Sequence, residues 1–307
     1  MDLQQVWKMQ GIFFLLVLIG FFLKRIKMIK SENKEVFTDL VLNVFLPATI
    51  VNSFQMKFET EMIKLFGILI GLSIIIIILC YILGVFLFSK YTHEQKNVLR
   101  FGTLISNAGF IGLPVAESFY GPIGLLYGAV FIIPLRMALW TVGLSLFLNE
   151  KDTIATLKKM VIHPCMIAVY IGSSMMISGI RFFEPINTTV IMLSKCTTPM
   201  VMIFVGSIIG EVDNLKTIFN WDVLRFSIIR VIIIPTIVYI FTLLSNLDPI
   251  IVGIAVILTS MPAGSATVIL ATKYDNDYVL GTKIVILSTI LSMFAIPIWG
   301  IILFSIG

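Results

Sequence analysis

Charge is scarce in this chain. Asp, Glu, Lys and Arg together make up 13% of its 307 residues, and histidine occurs only twice, at His93 and His163. No HExxH pair and no phosphate-cradling glycine loop is present, and Cys80, Cys165 and Cys196 lie far apart within apolar stretches. Metal, hydrolytic and nucleotide-driven mechanisms therefore lack their parts, and neither a disulfide framework nor a metal cluster is indicated. The chain is expected not to be an enzyme and to need no cofactor. A pair of aspartates in mid-span, on which a sodium/proton exchanger would be built, is also missing. The amino terminus has no basic n-region and no small-residue cleavage site, so its first apolar run reads as a retained span.

What the chain does have is hydrophobic residues, 58% of the total, with a mean hydropathy of +1.04. That lies outside the range of a soluble domain. A helix needs about 20 apolar residues to cross about 30 Å of hydrocarbon. Apolar runs bounded by charged or turn residues predict spans at Val6–Leu23, Val36–Phe54, Ile63–Phe88, Val98–Phe119 and Ile123–Leu148. Five more are expected at Val161–Ile180, Ile186–Ile209, Val223–Leu244, Pro249–Ala271 and Val279–Ile306. The fold class is all-α integral membrane, with ten transmembrane helices.

The net charge of +5 comes from short basic clusters between apolar runs, the pattern of loops facing anionic lipid rather than nucleic acid. Loops on one side hold 13 Lys and Arg, including Lys24, Arg25, Lys90, Arg100, Lys158 and Lys216, against 4 on the other, Lys8, Lys57, Lys64 and Arg181. The cytoplasmic side retains such residues, so both termini are expected outside a multi-pass protein of the plasma membrane.

An odd number of spans per half inverts any repeat. Pro47 in the second span matches Pro199 in the seventh, Pro114 in the fourth matches Pro262 in the ninth, and Pro134 in the fifth matches Pro297 in the tenth. Residues 1–150 and 151–307 are accordingly expected to form two inverted five-helix repeats of one membrane domain. "SNAGFIGLPV" (Ser106–Val115) combines Pro114 with Gly109 and Gly112, so the fourth helix should break around Ile111–Leu113. "SMPAGSAT" should break the ninth. Two such breaks crossing at one depth cover each other's exposed backbone, and Pro114 and Pro262 suit the first turn of the half-helices they begin. The positive ends of those half-helices would welcome an anion.

Asn107 lies two turns before Pro114, on nearly the same face, and is the leading candidate to touch a substrate; the alternative is a plain interhelical bridge. Gly109, Gly112, Pro114, Met261, Pro262, Gly264 and Ser265 complete the candidate substrate site; Ser265, and with it Thr267, is a weaker member, since small hydroxyl residues also serve plain helix packing. Arg136, Lys195 and Arg230 are candidates for attracting an anion, or, for Lys195 and Arg230, for reaching an interface along flexible stems. Glu117 is a candidate for a coupling proton or cation, H+ or Na+, against a bland reading as a helix-end charge. The expected partners are a small organic anion, membrane lipid and a second copy of the chain as a homodimer.

Nearly the whole chain resembles the auxin efflux carrier family, on "NVFLPATI", "SNAGFIGLPV", "HPCMIAVYIG" and "SMPAGSATVILATKYDND". That family includes bacterial malate permeases and is related to plant PIN carriers and the bile acid symporter fold. The resemblance implies two inverted five-helix repeats, a scaffold and a transport part, and crossed, broken fourth and ninth helices. It also implies that Asn107, seven residues before the crossing proline, contacts a carboxylate. The long central loop of many plant members is replaced here by Asn149–Met160. The function expected is secondary transport of a small organic anion, malate- or auxin-like, by alternating access. A membrane sensor with a carrier fold and a passive channel are the runners-up.

Overall fold

In lipid the backbone must bond to itself, and the computed structural model is helical over most of the described residues of the apolar runs. It describes residues 3–30, 34–55, 61–143, 145–147, 162, 164–210, 219–245 and 247–304. The helices are α1 (Leu3–Arg25), α2 (Lys34–Leu40), α3 (Leu46–Ser53), α4 (Glu61–Leu87), α5 (His93–Leu104), α6 (Leu113–Ala138) and α7 (Pro164–Ser178). They continue with α8 (Ile186–Gly210), α9 (Trp221–Ile228), α10 (Ile234–Leu244), α11 (Pro249–Thr259), α12 (Ala266–Lys273) and α13 (Tyr278–Phe304). Met62–Leu87, Ala108–Gly143, Ile186–Gly210, Trp221–Leu244 and Tyr278–Leu303 are long and apolar enough to cross a membrane, and Val41–Ser53, Pro164–Ser178 and Pro249–Thr259 are shorter apolar helices. The central loop Asn149–Met160 and the loop at Lys216 lie outside the described residues.

The expected fourth and fifth segments run together in α6, which divides at Gly121 (φ 64°, ψ −154°), a backbone conformation suited to glycine. Pro122 opens the second part, and two glycines let it lie back on the first. A Cβ on Gly124 would fall 2.3 Å from the Ala116 carbonyl oxygen, and one on Gly128 would fall 2.9 Å from Leu113 Cδ2.

Three prolines are each preceded by a widened turn. Pro47, Pro114 and Pro235 stand in the first turn of α3, α6 and α10, behind π turns at Val41–Phe45, Ala108–Gly112 and Ile229–Ile233. Proline gives no N–H to the carbonyl four residues back. The N–H groups of Leu46, Leu113 and Ile234 reach five residues back instead, to the carbonyls of Val41, Ala108 and Ile229. The carbonyl of Val231, which Pro235 leaves without its helical donor, accepts a hydrogen bond from the Trp299 indole N–H at 3.3 Å.

The helices pack as two groups. One consists of α1, α2, α3, α7 and α8, the other of α4–α6 and α9–α13. In the first, glycines bring backbones into direct contact: a Cβ on Gly20 would meet the Ile203 carbonyl oxygen, and one on Gly206 that of Val17, both at 2.0 Å. The Thr49 and Thr197 hydroxyls, 2.5 Å apart, add a polar tie between α3 and α8. The groups meet along a seam where the Phe110 and Phe204 rings pack edge to face, 5.3 Å between centroids.

Candidate functional site

Both interrupted helices stop at the same place. α5 ends at Leu104 and α11 at Thr259, and between each and its continuation the chain leaves the helix, extended at Ile105 and bridged at Ser106 and Ala263. Ser106 and Ala263 form an antiparallel bridge. The Asn107 N–H donates to the Pro262 carbonyl at 2.8 Å, and the Gly264 N–H donates to the Ile105 carbonyl at 3.0 Å. The Ala263 N–H donates to Ser288 Oγ at 3.2 Å. These bonds replace those the helices gave up, as buried backbone requires.

The break differs from expectation in position. It lies at Ile105–Asn107, not at Ile111–Leu113, because the π turn absorbs the donor missing at Pro114 without opening the helix. Pro262 likewise lies in the non-helical stretch, four residues ahead of α12, and contributes its carbonyl to Asn107 rather than opening a helix.

A cavity of about 270 Å³ opens beside the crossing, at the seam, lined by Asn107, Gly109, Arg136, Gly264 and Ser265 and by a larger apolar wall that includes Leu42, Phe110, Ile132, Phe204 and Leu270. The half-buried Asn107 side chain makes no hydrogen bond among the described residues and does not cap its own helix. Ser265 is exposed to the cavity and also leaves its helix uncapped. Arg136 reaches over Gly109, where a Cβ would stand 3.2 Å from Nη2. The helices beginning at Ala108 and Ala266 both turn the positive end of a helix dipole to this region, although the Thr267 and Val268 N–H groups already donate to the Gly264 and Ser265 carbonyls, at 2.9 and 3.1 Å. Chemically, this arrangement can hold an anionic headgroup against donors and its body against hydrocarbon.

A second cavity, of about 300 Å³, lies across the same turn and is lined by Phe13, Val17, Ile111, Val115, Met202 and Pro297 among others. Gly109 and Phe110 border the first cavity while Ile111 borders the second, so one π turn separates them.

Of the other sequence candidates, Gly112, Pro114, Met261 and Pro262 are buried behind the crossing and line neither cavity. Gly112 is needed for close approach, since a Cβ there would meet Leu258 Cδ2 at 2.8 Å and Met261 Cγ at 3.0 Å. Glu117 is half-buried and Lys195 exposed, and neither borders these cavities. Thr267 is buried, with its hydroxyl unpartnered among the described residues. Arg230 neither borders the cavity at the crossing nor reaches an interface, and is 2% exposed. Leu42, Phe204 and Ser288 escaped the sequence reading, because an apolar or small residue within an apolar run carries no local mark.

Interrupted helices that cross beside a cavity, within a chain of long apolar helices, define the class of a multi-pass membrane transport protein. The family model described as membrane transport protein matches residues 9–156 and 151–300. The chain belongs to this family, that of the auxin efflux carriers, whose members are transporters and not enzymes. It is 27% identical over 305 residues to an uncharacterized transporter of Methanocaldococcus jannaschii, covering 95% of this chain and 96% of that one. An uncharacterized transporter of Methanothermobacter thermautotrophicus is 24% identical over 94% of this chain and 95% of its own. The uncharacterized transporter YfdV of Escherichia coli is 20% identical over 92% of this chain and 93% of its own.

Proposed function

We propose that this protein is a secondary transporter of a small organic anion, a carboxylate with an apolar body, working by alternating access across the plasma membrane. The observation that carries the reading is the cavity at the crossing. There Asn107, Ser265 and Arg136 gather with two helix N-termini at one edge of an otherwise apolar pocket. Asn107 binds the carboxylate, and the apolar wall favours an aryl or alkyl body over malate, whose second carboxylate and hydroxyl would lose water without gaining partners. The two packing groups act as scaffold and moving part, the repeats are inverted, and both termini face outward.

Uptake of labelled phenylacetate and malate into proteoliposomes tests this. The expected result is saturable phenylacetate uptake that exceeds malate uptake, with Asn107→Ala weakening affinity about tenfold, the worth of one hydrogen bond to a charged group. Unchanged uptake by a well-folded Asn107→Ala removes the site. Flux that does not saturate indicates a channel, and binding without uptake a sensor.

A further inference from the structure

Arg230 stands on the π turn Ile229–Ile233, fully inside the helix group that carries the crossing. A guanidinium remains charged even when buried, so its charge must be balanced nearby. No carboxylate among the described residues pairs with it; its neighbours are the Cys80 sulfur and the Thr103 carbonyl, to which Nη1 donates at 3.4 Å. Its Nε has no partner among the described residues. The side chain borders a pocket of about 20 Å³ shared with Cys80, Leu104, Ser106, Leu258 and Thr259.

Cys80 lies on α4 and Ser106 in the bridge, while the rest come from the ends of α5 and α11. Thr103 and Leu104 end one half-helix, Leu258 and Thr259 the other, so both negative helix ends converge on Arg230. Each helix C-terminus is equivalent to about −0.5 of an elementary charge, and two together offset one guanidinium. The half-helices that start on the far side of the crossing present their positive ends to the cavity at Asn107. The crossing is thus electrically sorted, with positive helix ends toward the cavity and negative helix ends toward Arg230, which bonds directly to the end of α5 through the Thr103 carbonyl and shares its pocket with the end of α11.

We propose that Arg230 is a tethered monovalent cation: a positioning residue that neutralises the paired C-termini of α5 and α11, so that the crossing needs no dissociable metal cation to assemble. With those ends neutralised, the field in the cavity is set by the positive helix ends, which favours an anion. Only this last consequence rests on the carrier reading.

The test uses the full-length protein in detergent, with apparent melting temperature as the first readout. The wild type is expected to melt at the same temperature in Na+, K+ and choline chlorides at equal ionic strength. Arg230→Ala melts lower and is partly restored by millimolar guanidinium but not by urea, its uncharged counterpart of similar shape. Arg230→Lys stays near the wild type while Arg230→Met does not, and this pair decides the matter if Arg230→Ala fails to fold. The proposal is overturned if Arg230→Met melts like the wild type, if urea restores Arg230→Ala as well as guanidinium does, or if Na+ specifically raises the wild-type melting temperature. As a second readout, Arg230→Met should bind labelled phenylacetate about tenfold more weakly than Arg230→Lys, the scale of a partly buried charge at helix ends. A wild type that does not bind phenylacetate sinks the substrate assignment and leaves the melting series to decide the role of Arg230.

Discussion

At Gly109 a hydrogen atom is all that separates the backbone from the Arg136 guanidinium. Gly109→Ala should displace the flexible end of Arg136 by a few tenths of an ångström while leaving the fold intact. Phenylacetate affinity should fall several-fold with an unchanged melting temperature, measured side by side on purified protein. Glu184 offers a separate test outside the spans. The Thr188 hydroxyl and the Asn187 amide hold its carboxyl below the usual range. A lowered folded-state value stabilises the protein above the unfolded value and loses that contribution as pH falls through the folded one. Thermal unfolding followed downward from about pH 4.3, the ordinary glutamate value, should therefore show a steeper loss for the wild type than for Glu184→Gln. Asn107 and Arg136, which line the cavity, stood out in the sequence because a polar group inside an apolar run needs a reason. Phe204 and Leu42 were not, since their role comes from a seam that only packing creates.

Prolines made the interrupted spans visible in the sequence, but not where they open. Proline acts on the carbonyl four residues earlier, and at Pro47, Pro114 and Pro235 the helix answers with one wide turn rather than a rupture. The ruptures at Ile105–Asn107 and Met261–Gly264 depend on each other, each segment supplying hydrogen-bond partners to the other across a long sequence separation. No local pattern encodes such a pair. Trp299 shows the same dependence, with its indole serving a carbonyl on α9's continuation. Trp299→Phe should leave that carbonyl unsatisfied and cost about 1–3 kcal/mol of stability, read as a lowered unfolding midpoint. Gly112→Val should cost a similar amount, about 1–3 kcal/mol, by forcing Leu258 and Met261 away from the π turn.

Across the whole molecule, the all-helical architecture and the long apolar helices were readable from length and hydropathy, whereas the division into two packing groups was not. Residues as distant as Gly20 and Gly206 join one group through backbone contact, and sequence spacing says nothing of that partnership. Both cavities lie where the groups meet, so relative movement of the groups should be required for transport. Cysteines introduced at Phe110 and Phe204, in a chain lacking Cys80, Cys165 and Cys196, should be bridged by a short bifunctional maleimide. Bridged protein should lose phenylacetate uptake while the singly substituted controls keep it; continued uptake would mean that the seam does not move.

The widened turns also set which length changes the chain can absorb. Each holds one residue more than an α-helical turn, so deleting a single residue within Val41–Phe45 discards the surplus and leaves everything beyond it facing its present neighbours. The same deletion inside the uniform helix α4 would swing the remainder of that rod by about 100° and set its lipid-facing side chains against the bundle.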